Sequence, residues 1–276
     1  MTTSASADAT PSPTFDMSAN ELLDLFHTGE YEIEGRMPES SNLTLLATVT
    51  GGASSNQDST ASSNNSGPKG SAPVGAARTN SHRAIYKPAV GERPLADFPG
   101  GLYRREVAMY ELANTMGWDV IPPTTIVDGP LGEGSVQAFV DANFEHHYFS
   151  LAEAGMGDPD LRQLCVLDFI ANNTDRKSGH CLQAHNGRIL GIDHGLTFHA
   201  QFKLRTVMWD YVGDPLGETA LTGIDRLLNT DISTTLGDLL TSLEVDALLT
   251  RARALRSAGV FPEDETGGHR WPWPLI

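Results

Sequence analysis

Two carboxylates and a histidine occur within a short stretch of sequence in the second half of the chain: Asp175, His180 and Asp193. Two carboxylates with a polar neighbour suit phosphoryl transfer. One carboxylate can orient or deprotonate the attacking hydroxyl, while the other holds the magnesium ion that bridges the phosphates. Arg176 follows the first carboxylate and can hold its loop by ion pairing. This chemistry requires a fold that brings the side chains into one small volume.

A helix and a hairpin are predicted to meet this requirement. Apolar residues recur at helical spacing between Leu161 and Ile170, so a helix should deliver the first carboxylate. After it, residues 181–192 predict two short strands around the turn at Asn186 and Gly187. A hairpin of this length places its two ends side by side, and the three side chains should then converge.

The order of these motifs resembles a known family. Asp-Arg-x-x-x-His at residues 175–180, a hairpin, and Ile-Asp-His-Gly at residues 192–195 are similar to the catalytic and metal-binding loops of phosphatidylinositol 3-/4-kinases and related atypical kinases. The region from Tyr86 to Trp209 is most similar to bacterial proteins described only as phosphatidylinositol 3-/4-kinase-like. With the Ser/Gly insertion left out, the resemblance extends from about Gly35 to the C-terminus.

The resemblance implies an α+β, two-lobed protein-kinase-like fold, with a small antiparallel-sheet lobe and a larger, mainly helical lobe. It gives Asp175 the position of the catalytic aspartate and Asp193 that of a metal ligand. His180 stands where these kinases usually have a metal-binding asparagine. This is a departure, because magnesium prefers oxygen ligands, and a histidine favours manganese or a hydrogen bond to phosphate. His194 replaces the aromatic residue that is common at its position.

A lysine–glutamate pair is the next expectation. Residues 83–88 predict a strand that ends at Pro88 and carries Lys87, which can reach the ATP phosphates as a point charge. Residues 102–112 predict a helix that stops at Gly117. By resemblance, Glu106 on this helix pairs with Lys87. Glu111 and Glu92 are alternative partners.

The loop between two strands at residues 31–34 and 43–49 is the candidate cover for the ATP phosphates. Its backbone N–H groups and small polar side chains, Ser40, Ser41 and Asn42, suit that role. Taken alone, these residues are more typical of a plain polar turn; their position before the strand that carries Lys87 favours the phosphate role. The preceding residues, Ser18 to Glu21, have the form of a capping box and predict a short helix before Gly29.

Two further strands are predicted at Val120–Thr124 and Ser135–Val140, joined by a turn at Asp128–Gly134. In the kinase interpretation the second strand leads into the connection between the lobes. Backbone groups near Phe139 and Val140 would then hold adenine, in a slot lined by Ile85 and Ile192. Buried sheet alone also accounts for these apolar residues.

Composition sets the boundaries of the predicted units. Residues 1–16 are rich in Ser, Thr, Ala and Pro and predict a disordered tail, and the Ser/Gly-rich residues 51–81 predict a flexible insertion. The N-terminal lobe should span residues 17–140, and the C-terminal lobe, with the catalytic and metal-binding loops, residues 141–276.

Charge and cysteine content narrow the location and partners. The formal net charge of −16 argues against nucleic acid and against stable anchoring on an anionic membrane. Two cysteines are too few for a disulfide framework, and the sequence shows neither a signal peptide nor a membrane-spanning apolar run, so a cytoplasmic location is expected. The acceptor should therefore be a soluble protein or a small molecule. Lys203 and Arg205 either contact an anionic group on it or are ordinary surface charges.

The sequence predicts an ATP- and Mg²⁺- or Mn²⁺-dependent phosphotransferase, but three alternatives stay open. The unusual His180 and His194 are compatible with a nucleotide-binding pseudokinase that acts as a scaffold or sensor. The same fold can transfer AMP instead of phosphate. A zinc or di-metal hydrolase site could use His180, Asp193, His194 and His199, although no His or Cys pair has helical metal-binding spacing.

Overall fold

The computed structural model describes residues 14–38, 40–52, 80–264 and 267–276. Most of the predicted tail and of the predicted insertion therefore lies outside the described residues. Within these ranges the chain forms a five-stranded antiparallel sheet and a mainly helical region, which confirms the predicted α+β class. None of the helices in these ranges is both long and apolar enough to cross a membrane.

The sheet presents Lys87 on one face. Its strands are β1 (Glu30–Arg36), β2 (Leu45–Thr50), β3 (Ser81–Pro88), β4 (Thr124–Gly129) and β5 (Gly132–Ala138). They lie in the order β1-β2-β3-β5-β4, and every neighbouring pair is antiparallel. Side chains alternate across a strand, so Ala84 and Tyr86 are buried on one side of β3 while Ile85 and Lys87 point to the other.

Helix α1 (Ala19–Thr28) covers the face opposite Lys87. The predicted capping box is confirmed: the hydroxyl of Ser18 accepts a hydrogen bond from the N–H of Glu21, whose carboxylate accepts one from the N–H of Ser18 at 2.8 Å. Leu22, Leu25 and Phe26 of α1 are buried against the sheet. The opposite face, which carries Lys87, is the one that contacts α2 and the residues after the hairpin.

The strand predicted at Val120–Thr124 is wrong in its position. Strand β4 begins only at Thr124, because Pro122 and Pro123 have no N–H group to donate to a ladder. Its partner β5 ends at Ala138, before the predicted end of that strand. The turn between them is also shorter than predicted, since Gly129 already pairs with Gly132.

The helical region surrounds a second, larger core. Its helices are α2 (Leu102–Met116), α3 (Tyr148–Glu153), α4 (Asp158–Ala171), α5 (Gly217–Asn229), α6 (Ser233–Leu236) and α7 (Ser242–Ala258), and its hairpin consists of β6 (Cys181–Gln183) and β7 (Ile189–Gly191). The predicted helices ending at Gly117 and before Asn173 are confirmed, as is the hairpin. Helix α2 is buried along most of its length and shares this core with α4, α5 and α7.

Candidate active site

The amine of Lys87 joins three elements of the fold. It lies near the end of β3 and forms ion pairs with Glu106 of α2 and with Asp193, which follows β7; its Nζ is 2.8 Å from Asp193 Oδ1. Glu106 is buried, and its Oε2 accepts a hydrogen bond from the N–H of His194 at 2.9 Å. Burial opposes protonation of Lys87, but the two carboxylates outweigh it and raise the pKa of the amine. Lys87 is therefore held as a cation between the sheet, α2 and the Asp193 loop.

Of the three glutamates considered for Lys87, the structure brings Glu106 to it. Glu92 instead caps α2, because its two oxygens accept hydrogen bonds from backbone N–H groups at the start of that helix, at 2.8 and 2.9 Å. Glu111 lies five residues beyond Glu106 and so projects from another side of the helix.

The hairpin brings His180, which precedes β6, beside Asp193, which follows β7. Asp193 has a left-handed backbone (φ 58°), its side chain is half exposed, and Lys87 holds the pKa of its carboxyl well below the usual range. His180 Nε2 lies 3.4 Å from Asp193 Oδ2. Burial lowers the pKa of His180 to about 4, so its ring is neutral near pH 7. Its Nδ1 accepts a hydrogen bond from the N–H of Lys177 at 3.4 Å, which places the ring proton on Nε2, facing Asp193.

A divalent metal ion suits Asp193 better than His180. The half-exposed carboxylate offers the oxygen ligands that Mg²⁺ prefers. A neutral imidazole suits Mn²⁺ better than Mg²⁺, and it can bind through Nε2 only after its proton moves to Nδ1. Among the residues that the structure describes, no group of three or more His, Cys, Asp or Glu side chains is arranged to hold a metal ion. Phosphate oxygens and water would have to complete the coordination, as is usual for Mg²⁺ at nucleotide sites.

The geometry does not support the zinc or di-metal alternative. His194 is buried, and its Nε2 lies 2.7 Å from a guanidinium nitrogen of Arg176. This cation would repel a metal ion at that nitrogen. His199 packs its ring against Phe98, with the centroids 5.3 Å apart. Both histidines are therefore committed to contacts within the protein.

Asp175 lies in the loop that follows α4. Its N–H donates to the side-chain oxygen of Asn173 at 3.0 Å, and its Oδ2 lies 3.0 Å from the amine of Lys177. Burial raises the pKa of Asp175 although Lys177 opposes the shift; the charge of Asp193 raises it further, since the two carboxylates lie within electrostatic range of each other. Their neighbours in the chain are also in contact, because Arg176 donates to the carbonyl oxygen of Ile192 at 3.1 Å, so Asp175 and Asp193 share one site. The ion pair between Lys177 and Asp175 was not predicted. The sequence feature that could have indicated it is a basic residue two positions after the aspartate.

Arg176 anchors this loop from the protein interior. Its side chain is completely buried and forms an ion pair with Asp168 of α4, with Nη2 2.9 Å from Oδ1. It also donates to the carbonyl oxygens of His180 at 3.3 Å and Ile192 at 3.1 Å, and it contacts His194. The predicted ion pairing of Arg176 is present, but its partner Asp168 was not predicted. One side chain thereby ties the Asp175 loop to both ends of the hairpin.

The loop proposed for the phosphates emerges beside Lys87. Leu45, the first residue of β2, pairs with Tyr86 of β3, so residues 40–44, which lead into β2, lie next to Lys87. The hydroxyl of Ser40 donates to a threonine hydroxyl at the end of the loop at 2.8 Å, and the side-chain oxygen of Asn42 accepts a backbone N–H from beyond β3 at 2.9 Å. Ser41 is exposed. These contacts engage the hydroxyl proton of Ser40 and the side-chain oxygen of Asn42.

The candidate adenine site has an apolar surface, but one of its predicted hydrogen-bond groups is occupied. The N–H of Phe139 donates to the carbonyl of Arg83 at 2.9 Å, because pairing between the strands continues beyond β5. Val140 belongs to a buried apolar cluster with the hairpin, against which Ile192 packs: Val140, Ala142, Leu182, Ala184 and Leu190. Ile85 lies on the same face of β3 as Lys87. Leu182 and Leu190 were not predicted here, although they lie in the predicted hairpin strands.

The fold is kinase-like. A crystal structure of the Golgi casein kinase with Mn/ADP bound matches the chain with a TM-score of 0.52 and 13% sequence identity, over 94% of this chain and 80% of that one. A second crystal structure of the Golgi casein kinase matches with a TM-score of 0.51 and 13% identity, over 89% of this chain and 75% of that one. At such low identity the likeness concerns the fold alone.

A relative by sequence is protein Rv2133c of Mycobacterium tuberculosis (strain ATCC 25618 / H37Rv). It is 32% identical over 286 aligned positions, which cover 90% of this chain and 93% of the relative. No protein-family model matches the chain. Identity at this level over nearly the whole of both proteins shows that the chain belongs to the same family as protein Rv2133c.

Proposed function

We propose that this protein is an ATP- and divalent-metal-dependent phosphotransferase that acts on a hydroxyl group. The observation that carries the proposal is the convergence of Lys87, Glu106 and Asp193 beside the Asp175 loop. The kinase-like fold supports it, as does the Mn/ADP bound in one of the similar kinase structures.

The proposal includes the phosphatidylinositol 3-/4-kinase-like subtype with two lobes, at residues 17–140 and 141–276. The apolar surface at Val140 would then receive adenine. A cytoplasmic location and a soluble protein or small-molecule acceptor follow from the same composition that argues against nucleic acid and membrane anchoring. A net charge of −16 disfavours docking on an anionic lipid surface, where each nearby Lys or Arg adds about 1 kcal/mol.

Each residue has a distinct role in the proposed reaction. Lys87, oriented by Glu106, places positive charge on the ATP phosphates. Asp193 and His180 would hold the metal ion, which when bound neutralises charge on the phosphate oxygens. Asp175 orients the acceptor hydroxyl and takes its proton as the acceptor oxygen bonds to the γ-phosphorus. The bond from that phosphorus to the ADP oxygen breaks in the same displacement.

The test is ATP turnover with Mg²⁺ and with Mn²⁺, followed by mass spectrometry of the labelled product. We expect turnover with at least one of the two metals and a product that gains a phosphoryl group, because in the proposed reaction Asp175 directs the acceptor hydroxyl to the γ-phosphorus of an ATP molecule held by Lys87. A product that gains AMP would show that the protein catalyses adenylyl transfer instead of phosphoryl transfer. Failure to bind ATP with either metal would contradict the proposal.

A pseudokinase is the second candidate, and His180 is the observation that favours it. Its ring proton faces Asp193, with Nε2 3.4 Å from Oδ2, so the two side chains do not offer two metal ligands at once. A protein that binds ATP but transfers nothing to any acceptor or to water would be a nucleotide-dependent scaffold or sensor.

Nucleotide binding is predicted to depend on Lys87. ATP at 100 times its Kd stabilises the folded state by about 2.7 kcal/mol, a shift in Tm on the order of 5–10 °C for a chain of this size. Lys87→Met should remove most of this shift, because the phosphates lose their cation. The variant also leaves Glu106 buried without a counter-ion, so its apo Tm should fall.

The quantity to compare is therefore the ligand-induced change in Tm of each protein, measured by differential scanning fluorimetry with ATP and Mn²⁺. Arg253→Ala, which removes an exposed cation from α7, is the control and should keep the full shift. An equal shift in Lys87→Met and the wild type would show that the phosphates lie elsewhere.

A further inference from the structure

Arg205 is held beside Asp175 by the backbone of the catalytic loop. Its N–H donates to the carbonyl of Asn173 at 2.8 Å, and its own carbonyl accepts a hydrogen bond from the N–H of Arg176 at 3.1 Å. These bonds on either side of Asp175 fix the position of Arg205, although it is far away in sequence. Arg205 is exposed; its charge opposes the rise that burial causes in the pKa of Asp175, and it adds to the lowering of the pKa of Asp97 by Lys203.

The other cations near Arg205 already have partners. The amine of Lys203 lies 3.2 Å from a carboxylate oxygen of Asp97 and donates to the carbonyl of the same residue at 2.9 Å. Lys177 is paired with Asp175. Over the described ranges, the guanidinium of Arg205 forms no ion pair of its own. Among the described residues, the charge of Arg205 is thus available beside the Asp175 loop, in a protein that is strongly acidic overall.

We propose that Arg205 binds an anionic group of the acceptor, which therefore carries a carboxylate or a phosphate close to the hydroxyl that is phosphorylated. This inference rests on the proposed function, because Asp175 marks where that hydroxyl would lie. A guanidinium suits the task, since its planar fork binds carboxylate and phosphate through two parallel hydrogen bonds. Lys203 is not part of this subsite, because Asp97 already neutralises it.

Two kinds of acceptor share this chemistry: a serine or threonine flanked by acidic side chains, and a small hydroxy acid or sugar phosphate. The first assay uses serine peptides that differ only in having Glu, Ala or Lys beside the serine. The second compares glycerate and glycerol 3-phosphate with glycerol. Transfer of label from γ-labelled ATP with Mn²⁺ is measured for each probe. Labelling of the peptides would identify a protein acceptor, and labelling of glycerate or glycerol 3-phosphate would identify a small-molecule acceptor.

The wild type should label acidic probes about 10- to 100-fold more efficiently than their neutral counterparts, the range expected for hydrogen bonds between charged groups. Arg205→Ala should reduce this ratio to near one, mainly by raising KM, and Arg205→Lys should restore part of it. Arg205→Glu should turn the preference toward the Lys-flanked peptide. Lys203→Ala is the matched control and should keep the acidic preference.

An equal rate with acidic and neutral probes, or an acidic preference that survives in Arg205→Ala, would overturn the inference. So would a wild-type protein that hydrolyses ATP but labels none of the acidic probes. These outcomes differ from failure of the proposed function, in which ATP with Mn²⁺ neither raises the Tm nor is turned over. A cooperative melt of Arg205→Ala verifies that the variant is folded.

Discussion

Asp175→Asn is expected to lower phosphoryl transfer about 10²–10⁴-fold, the usual contribution of a general base. Asparagine has nearly the same shape as aspartate, but its amide cannot accept the proton of the attacking hydroxyl. The carboxylate of Asp175 contacts Lys177, whereas the residues assigned to the phosphates and the metal are Lys87 and Asp193. ATP with Mn²⁺ should therefore still raise the Tm of this variant.

Label transfer under single-turnover conditions measures this effect without a contribution from product release. Asp97→Asn is a matched control, because Asp97 is an exposed carboxylate that pairs with Lys203. Its substitution should have a small effect on the rate. Asp193→Asn should impair both turnover and metal-dependent ATP binding. Unchanged transfer in Asp175→Asn would remove Asp175 from the reaction. A wild type that binds ATP but transfers nothing to any acceptor, with Asp175→Asn and Asp193→Asn behaving alike, would favour the pseudokinase.

The elements that deliver the site could be predicted because their signals are local. The apolar spacing of α4, the Asn186–Gly187 turn and the glycine at residue 117 each determine structure within a few residues. The convergence of Asp175 with Asp193 then follows from the geometry of a hairpin. Lys87 and Glu106 required the family resemblance as well, since nothing local distinguishes Glu106 from Glu111.

The partners of buried charges could not be predicted in this way. Asp168 looks like an isolated acid between Leu167 and Phe169, on a helix that is otherwise apolar over this stretch. Only the folded chain shows that Arg176 neutralises it. His194 likewise lies where an aromatic residue is expected, and its contact with Arg176 depends on how the hairpin packs against the loop. Such pairings depend on tertiary contacts and leave no periodic pattern in the sequence.

A continuous chain of charged and polar contacts links the interior of α4 to the outer site. Asp168 pairs with Arg176, which contacts His194. The backbone of His194 donates to Glu106, and Glu106 pairs with Lys87. The position of Lys87, the lysine proposed to bind the phosphates, therefore depends on a buried ion pair that is remote from the proposed substrates. Disturbing that pair should affect both the stability of the fold and the geometry of the site.

Asp168→Leu is expected to lower the free energy of unfolding by about 3–5 kcal/mol, because it leaves the completely buried guanidinium of Arg176 without a counter-ion. Urea denaturation monitored by circular dichroism measures this loss. Asp158→Ala is the control on the same helix: its carboxylate is half exposed and pairs with Arg162, so its effect should stay below about 1 kcal/mol.

The double variant Asp168→Leu with Arg176→Met separates stability from activity. Removing both charges avoids an unpaired buried ion, so the double variant should lose less stability than the two single variants together. Its turnover should remain low, because methionine cannot donate to the carbonyl oxygens of His180 and Ile192 or hold His194. Strictly additive losses in stability would contradict the ion pair. Recovery of turnover along with stability would show that Arg176 acts only through the fold and does not position the Asp175 loop.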